Sequence, residues 1–196
     1  MNTQKRNTIK DLDSISDSQI VEMALNNVNA YKHIIDRYES KLLRYIQRVL
    51  YISKEDAEDI LQEVFIKAYR NINGYDKGYS FSSWIYRIAH NEAISFLRKK
   101  RITVTNTEKE DIFDKISSDE DVESAFLKDL KSREVRDILS KLETKYREVL
   151  VLRYFEEMSY NEISDVLHIS SGTVASLINR GKEKFKILVQ NYGKNI

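Results

Sequence analysis

The chain contains no cysteine, no proline and only five glycines among its 196 residues. Without cysteine there is no disulfide, no thiolate metal site and no cysteine nucleophile. The same absence fits a reducing compartment. Folds built from strands and tight turns lean on proline and glycine. Their scarcity, with abundant Leu, Ile, Lys and Glu, points to an all-α chain. Long apolar runs are missing too: stretches such as Val149–Leu152 fall far short of a membrane span. The segment Met1–Asp13 is polar and lacks the apolar core of a signal peptide. These features predict a cytoplasmic protein without membrane insertion. A net charge of only +1 leaves no overall basic field to announce nucleic acid, so the distribution of charge along the chain matters more than its sum.

Helical periodicity is present almost everywhere. Ile20, Met23, Ala24 and Val28 form one apolar stripe, and Ile34, Ile35, Tyr38, Leu42, Tyr45, Ile46 and Val49 a longer one. Ser53 reads as an N-cap with Asp56 as its capping-box partner. Behind it Ala57, Ile60, Leu61, Val64, Phe65, Ala68 and Tyr69 repeat at three and four, and Asn73–Gly74 is expected to end that helix. A further helix starts near Ser82 or Ser83, carries Trp84, Ile85, Ile88, Ala89, Ile94 and Leu97, and ends in Arg98–Arg101. Acidic residues then crowd between Thr105 and Glu123, opposed only by Lys109 and Lys115. Like charges at that density favour a solvated linker. The reading is therefore a tail at 1–14, a helical domain at 15–101, an acidic linker at 102–122, a second helical domain at 123–190 and a tail at 191–196. In the second domain Val135, Ile138, Leu139 and Leu142 form a stripe that Val149, Leu150, Leu152 and Tyr154 continue.

Two short helices close the second domain. Ser159–Glu162 is a capping box that opens a helix with Ile163, Val166 and Leu167 inward. His168–Ser170 makes a tight connection, and Ser170 caps a helix whose inner face holds Val174, Leu177 or Ile178, Phe185 and Leu188. Two helices joined by a short turn, the second bearing Arg180, Lys182, Lys184 and Lys186, describe a helix-turn-helix. The second helix of such a pair enters the major groove, the one groove that admits a helix and displays a full base code. Ser171, Gly172 and Thr173 at its start bring backbone N–H groups within reach of a phosphate. The same pattern also fits an ordinary helical hairpin with a solvated basic face.

Three segments in fixed order resemble extracytoplasmic-function (ECF) sigma factors of the sigma-70 family. Residues 56–69, Asp-Ala-Glu-Asp-Ile-Leu-Gln-Glu-Val-Phe-Ile-Lys-Ala-Tyr, are similar to the family's polymerase-binding helix. Residues 81–91, Phe-Ser-Ser-Trp-Ile-Tyr-Arg-Ile-Ala-His-Asn, resemble the helix that reads the −10 promoter element. Leu142 through Lys184, with Tyr146–Leu150 and Gly172–Val174, resembles the domain that reads the −35 element. The resemblance covers about residues 17 to 188 and implies two helical domains, core RNA polymerase and promoter DNA as partners, an anti-sigma factor, and no cofactor, metal or catalytic group.

It also assigns residues. Asp56, Glu58, Asp59, Gln62 and Glu63 become the face offered to a basic partner on the polymerase, where complementary charge sets register and association rate. Without the resemblance, these are acids near the positive end of a solvated helix. Asn91 becomes a base reader; Tyr75 and Tyr79 in the loop become base contacts; Arg98, Lys99, Lys100 and Arg101 become phosphate contacts. Trp84 keeps phase with Ile85 and Ile88 and is read as core. On the last helix Ser171, Thr173, Ala175, Ser176, Asn179, Arg180 and Lys182 face DNA. The acidic linker is implied to thread a basic channel of the polymerase.

Departures from the family pattern fall in the second domain. Ala175 and Leu177 stand where relatives often carry Arg or Lys, which removes a bidentate arginine–guanine contact at either position. Arg180 is then the matching basic position that remains, with Asn179 beside it as a base reader, and upstream recognition is either weaker or directed to A·T-rich sequence or DNA shape. His168 replaces a turn glycine, and histidine tolerates positive φ better than most residues. Glu143 replaces a proline. The competing function is a stand-alone helix-turn-helix regulator. An enzyme is disfavoured, because His33, His90 and His168 are dispersed and no phosphate loop or HExxH-like signature occurs.

Overall fold

A computed structural model describes residues 15–104 and 134–192. The expected N-terminal tail and most of the acidic linker lie outside them. The described residues are helical, with short turns and no strand. The first domain holds α1 (Asp17–Asn26), α2 (Tyr31–Leu50), α3 (Lys54–Asn71) and α4 (Phe81–Val104). The second holds α5 (residues 134–140), α6 (Thr144–Tyr154), α7 (Tyr160–Leu167) and α8 (Ser171–Tyr192). Helix α4 thus runs past Arg101, and α8 past Gln190, into segments read as linker and tail.

Serine caps set most helix starts. Ser16 and Ser159 each form a full capping box, with Gln19 and Glu162 respectively. At α3 the cap is Ser53 Oγ accepting from the Asp56 N–H at 3.1 Å. Helix α4 begins at Phe81, one residue before the expected start, because Ser80 Oγ accepts from the Ser83 N–H. The helix ends were harder to read. A 3-10 turn, Ile72–Gly74, finishes α3, and neither of its ends uses a left-handed glycine. Helix α2 stops at Leu50 because Tyr51 adopts φ 53° and ψ 54°, a left-handed cap without glycine or asparagine.

The first core is built from Ile20, Val21 and Ala24 of α1, the long α2 stripe, Ala57 to Ala68 of α3, and Phe81, Trp84, Ile85 and Ala89 of α4. Four stripe residues are corrected. Met23, Val28, Tyr69 and Ile94 are exposed, because α1 turns Val21 rather than Met23 inward, α3 ends its buried seam at Ala68, and α4 carries its seam on Ala89 and Ala93. Trp84 is core, as its phase required, and packs with Tyr75 and Phe81.

Helix α6 is buried over seven consecutive residues, Tyr146 to Leu152. A helix enclosed on all sides loses its polar stripe, and here the second side is supplied by the first domain, since α2 packs on α6 and α4 on α7. Tyr154, expected inside, is exposed at the end of this helix. Arg147 in the middle is buried because its guanidinium serves the α5–α6 turn. It donates to the carbonyls of Ser140 and Leu142 and to Thr144 Oγ1, and it stacks over the Tyr51 ring. Burial lowers its pKa from the ordinary arginine value.

Candidate nucleic-acid interface

The helix-turn-helix forms as its sequence directs. Ser159 caps α7, and Ser170 Oγ accepts from the Thr173 N–H to start α8. Between them His168 sits at φ 55° and ψ 41°, the left-handed conformation that the missing glycine would adopt. Ser164 Oγ donates to the Ile169 carbonyl and fixes the turn. Val174 and Ile178 are the buried anchors of α8, which decides between Leu177 and Ile178; Leu177 is half-buried. Gly181 lets α8 approach α6 closely: a Cβ there would stand 3.3 Å from Leu150.

This packing leaves Ser171, Thr173, Ser176, Asn179, Arg180 and Lys182 on the exposed side of α8, with Ala175 half-buried beside them. Not every cation of α8 is equivalent. Lys184 is held by Glu143 at 3.0 Å, and Glu143 also takes Lys145. Both lysines lower the Glu143 carboxyl pKa. The glutamate in the family's proline position thus clasps α8 to the start of α6.

On the first domain, Asn91, Arg98 and Lys99 are exposed along α4, while Lys100 leans over the Phe96 ring. The Arg101 side chain lies outside the described residues. Tyr79 is 57% exposed. Tyr75 is different: its ring packs edge-on against Phe81, and its hydroxyl donates to the Tyr79 carbonyl at 2.6 Å. It shapes the loop that presents Tyr79. On α3, Asp59, Gln62 and Glu63 are exposed, Asp56 and Glu58 less so, and Glu58 has Lys54 one turn away at 3.7 Å. Between this face and that of α4, Lys67 of α3 donates to Glu92 of α4, next to Asn91, at 2.6 Å.

Two ordered matches bear on these surfaces. Residues 34–102 match the family model "Sigma-70 region 2", and residues 132–185 match "Sigma-70, region 4". The chain is also 36% identical to the ECF RNA polymerase sigma factor SigW of Bacillus subtilis, over 86% of this chain and 93% of that one.

The chain belongs to the ECF sigma factors.

The RNA polymerase sigma-H factor of Pseudomonas aeruginosa is 33% identical to this sigma factor, over 85% of its chain and 90% of the relative. The fold is shared with solved structures. One is CnrH in complex with the cytosolic domain of CnrY (TM-score 0.65, 23% identity, 89% of this chain and 97% of that one). Another is the sigma factor RpoE of Bartonella quintana with the anti-sigma factor NepR (TM-score 0.66, 18% identity, 82% and 96%). Two sigma-70 regions in order make the protein a promoter-recognising sigma factor, not a stand-alone helix-turn-helix regulator.

One group of residues escaped the sequence reading. Tyr45, Arg48, Tyr86 and His90 of the first domain meet Glu148 and Glu156 of the second. His90, read as near DNA or in packing, belongs to the packing.

Proposed function

We propose that this sigma factor divides its work among the three exposed faces just described. The acidic side of α3, with Asp56, Glu58, Asp59, Gln62 and Glu63, docks on a basic surface of core RNA polymerase. The α4 face and its preceding loop take the −10 element: Asn91 offers a donor and an acceptor to a base edge, Tyr79 stacks, and Arg98 to Arg101 hold phosphates. The outer face of α8 takes the −35 element, with Asn179 as base reader and Ser171, Thr173, Ala175, Ser176, Arg180 and Lys182 along the groove. What carries this reading is the pair of sigma-70 regions in order, with exposed acids on α3 and exposed Asn91, Arg98 and Lys99 on α4. In this reading the protein works in the cytoplasm, is regulated by an anti-sigma factor, and is no enzyme, since the polymerase performs nucleotidyl transfer.

The test is transcription from a genomic fragment library with purified core polymerase, with start sites mapped. Discrete start sites that depend on the protein support the reading. Transcription identical to core alone, with no complex on gel filtration, overturns it.

A further inference from the structure

The clasp between α6 and α8 is built like an anion site. Lys145 Nζ stands 3.0 Å from Glu143 Oε2, and Lys184 Nζ stands 3.0 Å from Glu143 Oε1. Each carboxylate oxygen is thus given to one ammonium group. Both ammonium groups also lie over the Tyr146 ring, 5.0 and 5.1 Å from its centroid. That ring is buried, so it fixes where the two cations sit. Arg180 is a third cation, near enough for its charge to work against that of Lys145. Glu143 stands at the N-cap of α6, yet its side chain makes no capping bond and turns to the lysines instead.

Three cations in one cluster call for an anion. Arg180 and Lys184 are four residues apart on α8, and like charges at that spacing repel. Lys145 adds its charge in the first turn of α6, at the positive end of the helix. In the free chain Glu143 supplies the missing negative charge. A phosphodiester offers the same features, one negative charge shared by two free oxygens. The cluster continues along α8 from Arg180, so the phosphates nearest to it are those of the duplex that α8 reads.

We infer that Glu143 is an internal counter-anion, which a backbone phosphate of the −35 duplex displaces from Lys145 and Lys184. The inference rests on the reading that α8 takes the −35 element. The chemistry suits an exchange. Glu143, Lys145 and Lys184 are all exposed, and an exposed ion pair contributes little and is screened by salt. The carboxylate therefore leaves easily, and the buried Tyr146 ring keeps both ammonium groups in place when it does. Phosphate binding releases counter-ions condensed on the DNA, which drives the exchange. The displaced carboxylate stays beside the phosphates and opposes them, so Glu143 attenuates upstream binding. Proline, the residue it replaces in the family pattern, carries no charge and could do neither.

The exchange is tested by binding of holoenzyme, made with the full-length chain, to a mapped promoter duplex at several salt concentrations. Glu143→Gln keeps the shape of the side chain and removes its charge. It should bind about threefold to tenfold more tightly at low salt, with a salt slope steeper by about one and base preferences unchanged. Lys145→Gln/Lys184→Gln should bind more weakly, with a shallower slope. Adding Glu143→Gln to that pair should change little, because the carboxylate then has no lysines to occupy. The substituted side chains are exposed, so all three variants should keep the fold, which a circular dichroism melt checks. An equal gain with and without the lysines overturns the inference, since Glu143 would then only repel DNA. Unchanged affinity in Glu143→Gln, while Arg180→Ala/Lys182→Ala weakens binding, overturns it too and leaves the reading of α8 standing. If neither of those variants alters binding, the reading of α8 falls together with the counter-anion.

Discussion

The Tyr45 hydroxyl donates to Glu148 Oε1 across 2.7 Å and joins residues 103 positions apart in the chain. Tyr45 is fully enclosed, and its pKa is pushed well above the ordinary tyrosine value, first by burial and then by the Glu148 charge. Tyr45→Phe removes the donor and leaves the carboxylate with His90 alone. A buried acceptor deprived of a partner costs about 1–3 kcal/mol. Urea denaturation at neutral pH should show a loss of that size; an unchanged midpoint would mean that water replaces the hydroxyl.

Stability should fall in alkali. Burial raises the pKa of Tyr31, Tyr38, Tyr45 and Tyr86, and pushes Tyr51 up to about 12. A folded-state pKa above the unfolded one gives stability that is complete below about pH 10 and is lost as pH rises toward the folded value. Each such tyrosine adds at most about 1.4 kcal/mol per pH unit in that window. Denaturant midpoints should be level up to pH near 10 and then drop, and Tyr86→Phe should make the drop shallower. A level curve through pH 11.5 contradicts the burial of these hydroxyls.

The turn of the helix-turn-helix offers a stereochemical test. His168 is left-handed, which glycine adopts freely and a β-branched residue resists. His168→Val should destabilise the protein by about 1–3 kcal/mol, whereas His168→Gly should leave the melting temperature unchanged or raise it. Equal effects from the two substitutions would show that the imidazole contact with Arg87, not the backbone, sets the stability of the turn.

Much of this was legible because it is local. Serine caps, three-and-four spacing and the basic run after Leu97 are written in neighbouring residues, and the helices follow them. The phase of Trp84 placed it in the core. Signals failed where the deciding partner is remote. The end of α2 at Tyr51 has no glycine to mark it, because the residue is steadied by Arg147 and by the Arg136 carbonyl. Met23 and Val28 fit a stripe that tertiary packing does not use. Glu148 entered the sequence reading only as part of the Tyr146–Leu150 segment; its burial depends on Tyr45 and His90, which no short-range pattern connects to it. Tyr75 was read by its place in a loop, and only the ring contacts reveal that it supports Tyr79.

The acidic face of α3 can be tested without touching the core. Asp59 and Glu63 are exposed, one turn apart on the polar side of the helix. Reversing both to lysine, with Asp56→Lys as a third change, should weaken binding to core polymerase by about tenfold or more and reduce its salt dependence. Asp56 sits in the first turn, where a positive charge opposes the helix dipole, so the triple variant also loses up to about 1 kcal/mol of stability. Unaltered affinity would mean that the face is only solvated.

The division of DNA reading between the domains is tested most directly by holoenzyme binding to promoter variants at several salt concentrations. Base-edge contacts specify sequence, whereas phosphate contacts position the protein. Asn91→Ala should therefore flatten preference at one −10 position by about 1–3 kcal/mol, with its salt dependence unchanged. Arg180→Ala/Lys182→Ala should lose affinity evenly across sequences and bind with a shallower salt slope. If Asn91→Ala keeps every base preference while Arg180→Ala alters one sharply, the assignment of reading residues to α4 and α8 is contradicted.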